Sequence, residues 1–124
     1  MNTIFKTIQN SFDLLDLKKN WDSKGASPID KEIYIQAIQY ILKIMMNIEG
    51  DTKEFEINAC PDGSIDINFR IQKAHLNINV NKNGVSYEGK GPHKNDTMKT
   101  INSSSGCVSS NVIDWLNRNL KKRV

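Results

Sequence analysis

Ser64-Ile65-Asp66-Ile67-Asn68-Phe69-Arg70-Ile71 and, closely after it, Ala74-His75-Leu76-Asn77-Ile78-Asn79-Val80 carry an apolar residue at every second position. Successive strand side chains point to opposite faces, so each segment has one greasy face and one wet face. Glu54-Phe55-Glu56-Ile57-Asn58-Ala59 alternates in the same way and predicts a first strand. Cys60-Pro61-Asp62-Gly63 is a turn, with proline suited to its second position and Asp-Gly to a tight reversal. A short polar turn is expected near Gln72 and Lys73. Lys82-Asn83-Gly84 predicts a hairpin, because Asn-Gly tolerates the positive φ of a type I′ turn, and Val85-Ser86-Tyr87-Glu88 then opens a fourth strand. Four strands in hairpin succession make an antiparallel meander.

Helical periodicity flanks this ribbon. Ile4, Ile8, Phe12 and Leu15, widened by Phe5 and Leu14, predict a first helix over residues 3–19. Ser27 before Pro28 reads as an N-cap with proline in the first turn, and Asp30 suits the positive end of the helix dipole. The second helix should run to about Ile48, with Gly50 ending it. Ile33, Tyr34, Ala37, Ile38, Ile41, Leu42, Ile44 and Met45 make it apolar over most of its circumference, so it is expected to be buried on several sides, lying on the sheet. A last helix follows Ser109, with Val112, Trp115, Leu116 and Leu120 as its stripe and Val108 and Ile113 as a hydrophobic staple. Gly89 to Ser110 lacks regular patterning and reads as a long, basic, turn-rich loop in which Met98 and Ile101 suggest a short edge strand. The whole is a single α+β domain over residues 1–124: two N-terminal helices, a four-stranded antiparallel meander, and a C-terminal helix packed with the long second helix on one sheet face.

Composition limits the function classes. Hydrophobic residues at 38% and charged residues at 25% belong to a globular chain rather than a disordered one. No apolar run approaches the roughly 20 residues of a membrane span, and Met1-Asn2-Thr3-Ile4-Phe5-Lys6 lacks the pattern of a signal peptide, so a cytoplasmic location is expected. Cys60 and Cys107 are too few for a disulfide scaffold. The formal charge is +3, unevenly spread: residues 1–87 hold 10 Lys/Arg against 11 Asp/Glu (net −1), residues 88–124 hold 7 against 3 (net +4). An anionic partner therefore suits the C-terminal third best.

Two segments, Asn20-Trp21-Asp22-Ser23-Lys24-Gly25-Ala26-Ser27-Pro28-Ile29 and Pro61-Asp62-Gly63-Ser64-Ile65-Asp66-Ile67, resemble a signature of small bacterial and phage proteins. In that family a W-D-x-x-G-A-x-P-I segment precedes a long helix and a P-D-G-x-I-x-I segment opens a sheet. The resemblance implies an accessory role, inhibitor- or antitoxin-like or related to defence, with no settled activity.

Candidate sites fall in two places. Trp21 and Asp22 could form a partner-binding knob, since tryptophan is enriched at interface hot spots; the structural reading has Trp21 filling the core between the first two helices while Asp22 turns the chain. Lys90, His93, Lys94 and Lys99, with Ser104, Ser105 and Gly106 leading toward a helix N-terminus, could hold a phosphate or carboxylate; the structural reading is a solvated loop with a serine cap. The Walker order is absent. Thiol chemistry would need Cys107 near a helix start with His93 as base, or Cys60 in its turn with His75, and no spacing supports either pair. No catalytic residue, metal or cofactor is expected. The expectation is a non-enzymatic binding protein docking on a partner, most readily a protein, with a homo-oligomer through a strand edge as a further possibility. The alternatives are a binder of a phosphorylated or nucleotide-like ligand at residues 88–110, and weak nucleic-acid binding through the basic C-terminal third.

Overall fold

The computed structural model describes residues 2–48, 54–71, 74–91, 97–103 and 110–121. Five antiparallel strands in chain order form the sheet: β1 (Glu54–Ala59), β2 (Ile65–Ile71), β3 (Ala74–Asn81), β4 (Gly84–Lys90) and β5 (Thr97–Ser103). The register sets Ile65 opposite Val80, Ile67 opposite Ile78 and Phe69 opposite Leu76, and carries the row on to Tyr87 and Val85 of β4. The alternating apolar residues thus share one face. Three helices meet that face: α1 (Asn2–Ser11), α2 (Lys31–Asn47) and α3 (Ser110–Lys121). Ile33, Ala37, Ile41 and Ile44 of α2 and Val112, Trp115 and Leu116 of α3 join the strand residues in one hydrophobic cluster. The chain is accordingly α+β, with α2 and α3 on the same side of an antiparallel meander. Each large apolar side chain withdrawn from water there contributes about 1.5–3 kcal/mol before conformational entropy is set against it.

The differences from the sequence reading are local. The first helix does not run unbroken to residue 19: α1 stops at Ser11 and a 3₁₀ segment continues over Phe12–Asp16. The Ser11 hydroxyl donates to the Ile8 carbonyl at 2.6 Å and also meets the Tyr34 hydroxyl at 2.6 Å, a local bond that competes with helix continuation. The N-cap of α2 is Asp30 rather than Ser27: its carboxylate accepts from the Glu32 amide at 2.8 Å. Ser27 is drawn elsewhere, its amide donating to the Pro61 carbonyl at 2.8 Å.

The β3–β4 hairpin forms with Lys82 and Asn83 as its two loop residues, but not as a type I′ turn, because Asn83 does not take a positive φ. Gly84 takes φ +127° one position later, and the Asn83 amide donates to the Asn81 side-chain oxygen at 2.8 Å. The segment expected to be mostly loop contains the full strand β5, and Gly89 and Lys90 complete β4. The expected Ser109 cap and Val108 staple lie outside the described residues. Lastly, α2 is not buried on every apolar side: Ile35, Leu42 and Met46 remain 54%, 45% and 82% exposed. Among the described residues no helix is long and apolar enough to cross a membrane.

Candidate functional site

The helices cover one side of the sheet; on the other, the backbone register sets polar residues in three cross-strand rows. The first row runs from Glu54 of β1 through Arg70, His75 and Lys90 to Thr97 of β5. A second holds Glu56, Asn68, Asn77, Glu88 and Lys99, and a third Asn58, Asp66, Asn79 and Ser86. Directly paired residues on one face of an antiparallel sheet stand about 4.5–5.5 Å apart at Cβ, so each row is a set of neighbours. Arg70, His75 and Lys90 are exposed, while Asn68, Asn77 and Asn79 are half-buried among their neighbours on the face. Meander register therefore places three basic side chains from three strands side by side.

The far end of this face is tied down by hydrogen bonds. The Asn79 carboxamide nitrogen donates to Asp66 Oδ1 at 2.8 Å and to Ser64 Oγ at 3.0 Å, and Asn81 Nδ2 donates to Asn79 Oδ1 at 2.8 Å. Ser64, 2% exposed, donates through its hydroxyl to Asp62 Oδ1 at 2.5 Å and through its amide to the same oxygen at 3.0 Å. These two donors to the carboxylate hold Asp62 below its ordinary pKa of 3.8. The stabilisation is therefore present above that ordinary value and is lost as pH falls through the lower folded value. Asp62→Asn keeps the shape and removes the titration. Urea unfolding at neutral pH and again well below pH 3.8 should show the stability gap between wild type and Asp62→Asn narrowing on acidification; a gap independent of pH would contradict the assignment.

Trp21 and Asp22 build a joint. Asp22 Oδ1 accepts from the Lys24 amide at 2.8 Å and the Ala26 amide at 3.0 Å, while Asn20 Oδ1 accepts from the Gly25 amide at 2.7 Å. Trp21 Nε1 donates to the Ser27 carbonyl at 2.8 Å. Trp21 is half-buried on this loop and is not part of the hydrophobic cluster, which corrects the expectation that it fills the core between the first two helices. The Ser27–Pro61 bond then ties the Trp21 loop to the Pro61-Asp62-Gly63 turn, so the two segments that carry the family resemblance are adjacent in space.

A cleft of about 450 Å³ opens beside this joint, lined by Pro28, Asp30, Ile33, Asp62, Ser64 and the Asn81–Asn83 hairpin. In both carboxylates the Oδ1 oxygen already accepts backbone amide protons, from Glu32 and Ser64 respectively. Burial, reinforced by the Asp66 and Asp62 carboxylates, pushes the Cys60 thiol up to about 11, which keeps it protonated at neutral pH and poorly nucleophilic.

Of the residues singled out from sequence, Lys90 sits at the end of β4 beside His75, and Lys99 is placed by backbone register opposite Glu88. His93, Lys94, Ser104, Ser105, Gly106 and Cys107 lie outside the described residues. His75 is the cross-strand partner of Lys90 and Arg70 that of His75; the sequence reading put Arg70 and His75 on the outward face but did not join them to Lys90. Among the described residues no three His, Cys, Asp or Glu side chains gather as a metal site. Comparison with protein-family models, curated proteins and solved structures finds no match, so the functional reading rests on this chain's own residues.

Proposed function

We propose that this chain is a non-enzymatic binding protein that docks on a partner protein through its uncovered sheet face, with the Arg70–His75–Lys90 row meeting carboxylates of the partner. The observation that carries the reading is the Arg70–His75–Lys90 row, three exposed basic side chains set next to one another by the register of three adjacent strands. Such a row complements carboxylates, and Arg70 can engage one in bidentate fashion. Charge complementarity of this kind steers encounter and fixes register.

A protein fits better than a nucleic acid. Sheets that bind RNA stack bases chiefly on Phe, Tyr or Trp, and the positions of these three rows hold none of those three. Glu56, Asp66 and Glu88 also interrupt the positive field that a continuous phosphate chain would need.

The test is capture from nuclease-treated lysate of the native host by wild type and by the Arg70→Glu/Lys90→Glu variant, followed by titration with the captured protein. Both side chains are exposed, so the variant should fold with stability within about 0.5 kcal/mol of wild type. Its affinity for the captured protein should fall at least tenfold, with wild-type binding weakening as salt rises. Equal binding by the two chains would overturn the reading. A melting temperature raised by nucleotides or inorganic phosphate, and lost in the variant, would instead favour the small-ligand alternative.

A further inference from the structure

Asn83-Gly84 is the one Asn-Gly dipeptide of the chain. The fold sets it at the tip of the β3–β4 hairpin, with Asn83 exposed. The Asn83 backbone amide is anchored on Asn81 Oδ1, whereas among the described residues no hydrogen bond holds its carboxamide. Gly84 follows at φ +127° and has no Cβ to crowd the approach of its nitrogen to the preceding side chain. One other Asn or Asp precedes a glycine, Asp62 before Gly63. There the carboxylate is held ionised by the Ser64 hydroxyl and amide, which makes its carbon a poor target, and the Gly63 amide donates to the Cys60 carbonyl at 3.0 Å. Asn58, Asn68, Asn77 and Asn79 lie inside paired strands and precede Ala, Phe, Ile and Val, whose side chains block the same approach.

We infer that Asn83 is a site of self-modification, at which the Gly84 nitrogen attacks Asn83 Cγ and closes a succinimide ring. The bond formed is Gly84 N to Asn83 Cγ and the bond broken is Asn83 Cγ–Nδ2. The side-chain nitrogen leaves as ammonia, taking the proton of the Gly84 amide. Water then opens the ring at one of its two carbonyl carbons, with no change of oxidation state. Opening at Cγ leaves aspartate at position 83; opening at the main-chain carbonyl leaves isoaspartate, with the chain running through Cβ and Cγ. Gly84 pairs with Asn81 across the hairpin, so its nitrogen comes free as the two-residue tip opens, a local event far cheaper than global unfolding. Asn83 lines the same cleft as Asp30 and Asp62, so either product adds a third carboxylate there. Isoaspartate also lengthens by one backbone atom the loop that sets Lys90 opposite His75. The site stands independently of what the sheet face binds.

The test keeps the folded chain for weeks in mildly alkaline buffer, then maps its peptides by mass spectrometry beside an Asn83→Asp standard. The Asn83 peptide should show amide-to-acid exchange roughly tenfold faster than peptides holding Asn58, Asn68, Asn77 or Asn79, because glycine alone leaves the ring uncrowded. Isoaspartate should appear at position 83, read by labelling with an isoaspartyl methyltransferase. Conversion should slow in mildly acidic buffer, where the Gly84 nitrogen loses its proton more rarely. Asn83→Gln, at an exposed position, should keep the circular dichroism of wild type and resist conversion, since its longer side chain must close a larger ring. Acid at position 83 in urea but not in the folded chain would overturn the inference, because the hairpin would then seal the site. So would conversion led by another of the described asparagines.

Discussion

Trp115→Ala is expected to cost about 3–5 kcal/mol of unfolding free energy, the range for deleting a buried large aromatic side chain. Trp115 is 1% exposed and belongs to the cluster that holds α2, α3 and the sheet together. α3 has only 12 residues, a length at which an isolated helix is marginal, so it stays folded by burying Val112, Trp115 and Leu116. A domain of this size has about 5–15 kcal/mol in total, so the variant would retain little margin at ambient temperature. Urea unfolding followed by circular dichroism measures the change. A loss under about 1 kcal/mol would mean that α3 does not pack as described.

Gly63→Ala should be the most damaging change of a single methyl group. Gly63 has φ +89°, where an L side chain is strained, and a Cβ there would stand 3.1 Å from the Pro28 carbonyl oxygen. The strain costs on the order of 1–2 kcal/mol, and the contact must also be relieved by moving backbone. That backbone belongs to the joint held by the Ser27–Pro61 hydrogen bond, so relief in one segment disturbs the other. Gly25 is the internal control: its φ is +88°, but a Cβ would meet nothing within 4 Å. Thermal unfolding should therefore place Gly63→Ala clearly below Gly25→Ala, with the gap measuring the close approach. Equal melting temperatures would show that the two segments do not abut.

Much of this architecture was legible because the alternating ribbon tolerates one solution. Shifting β2 or β3 by one residue would expose Ile67 or Ile78, so burial fixes the register. The two-residue Lys82–Asn83 connection and the Ile71–Ala74 pairing then determine that Arg70, His75 and Lys90 fall in one row. The turn expected from the sequence would not have given the row: a type I′ turn at Asn83-Gly84 pairs Lys82 with Val85 and sets Lys90 opposite Asn77, whereas the observed loop sets it opposite His75. β5 was expected only as a short edge strand near Met98 and Ile101, for a different reason: two steps along β4, Val85 to Tyr87, face three along β5, Ser103 to Thr100. An extra residue in a strand breaks the period of two on which recognition from sequence depends.

The start of α2 was misplaced because Ser27-Pro28 has good cap chemistry locally, and only the distant Pro61 carbonyl shows that Ser27 is used elsewhere. The exposed side of α2 was misread because apolar coverage in a sequence cannot say whether a surface is buried within the chain or left for another molecule. Trp21 and Asp22 form a structural joint, with hydrogen bonds directed into their own loop.

The most direct test of recognition by the sheet face is a side-chain NMR titration of the labelled chain with the protein it captures. The Asn68 and Asn77 carboxamide signals and the Arg70 Nε signal should shift together, while the Trp21 indole and the Asn20 carboxamide stay where they are. Shifts confined to the Trp21 loop or to α2, with Asn68, Asn77 and Arg70 unmoved, would contradict docking through that face.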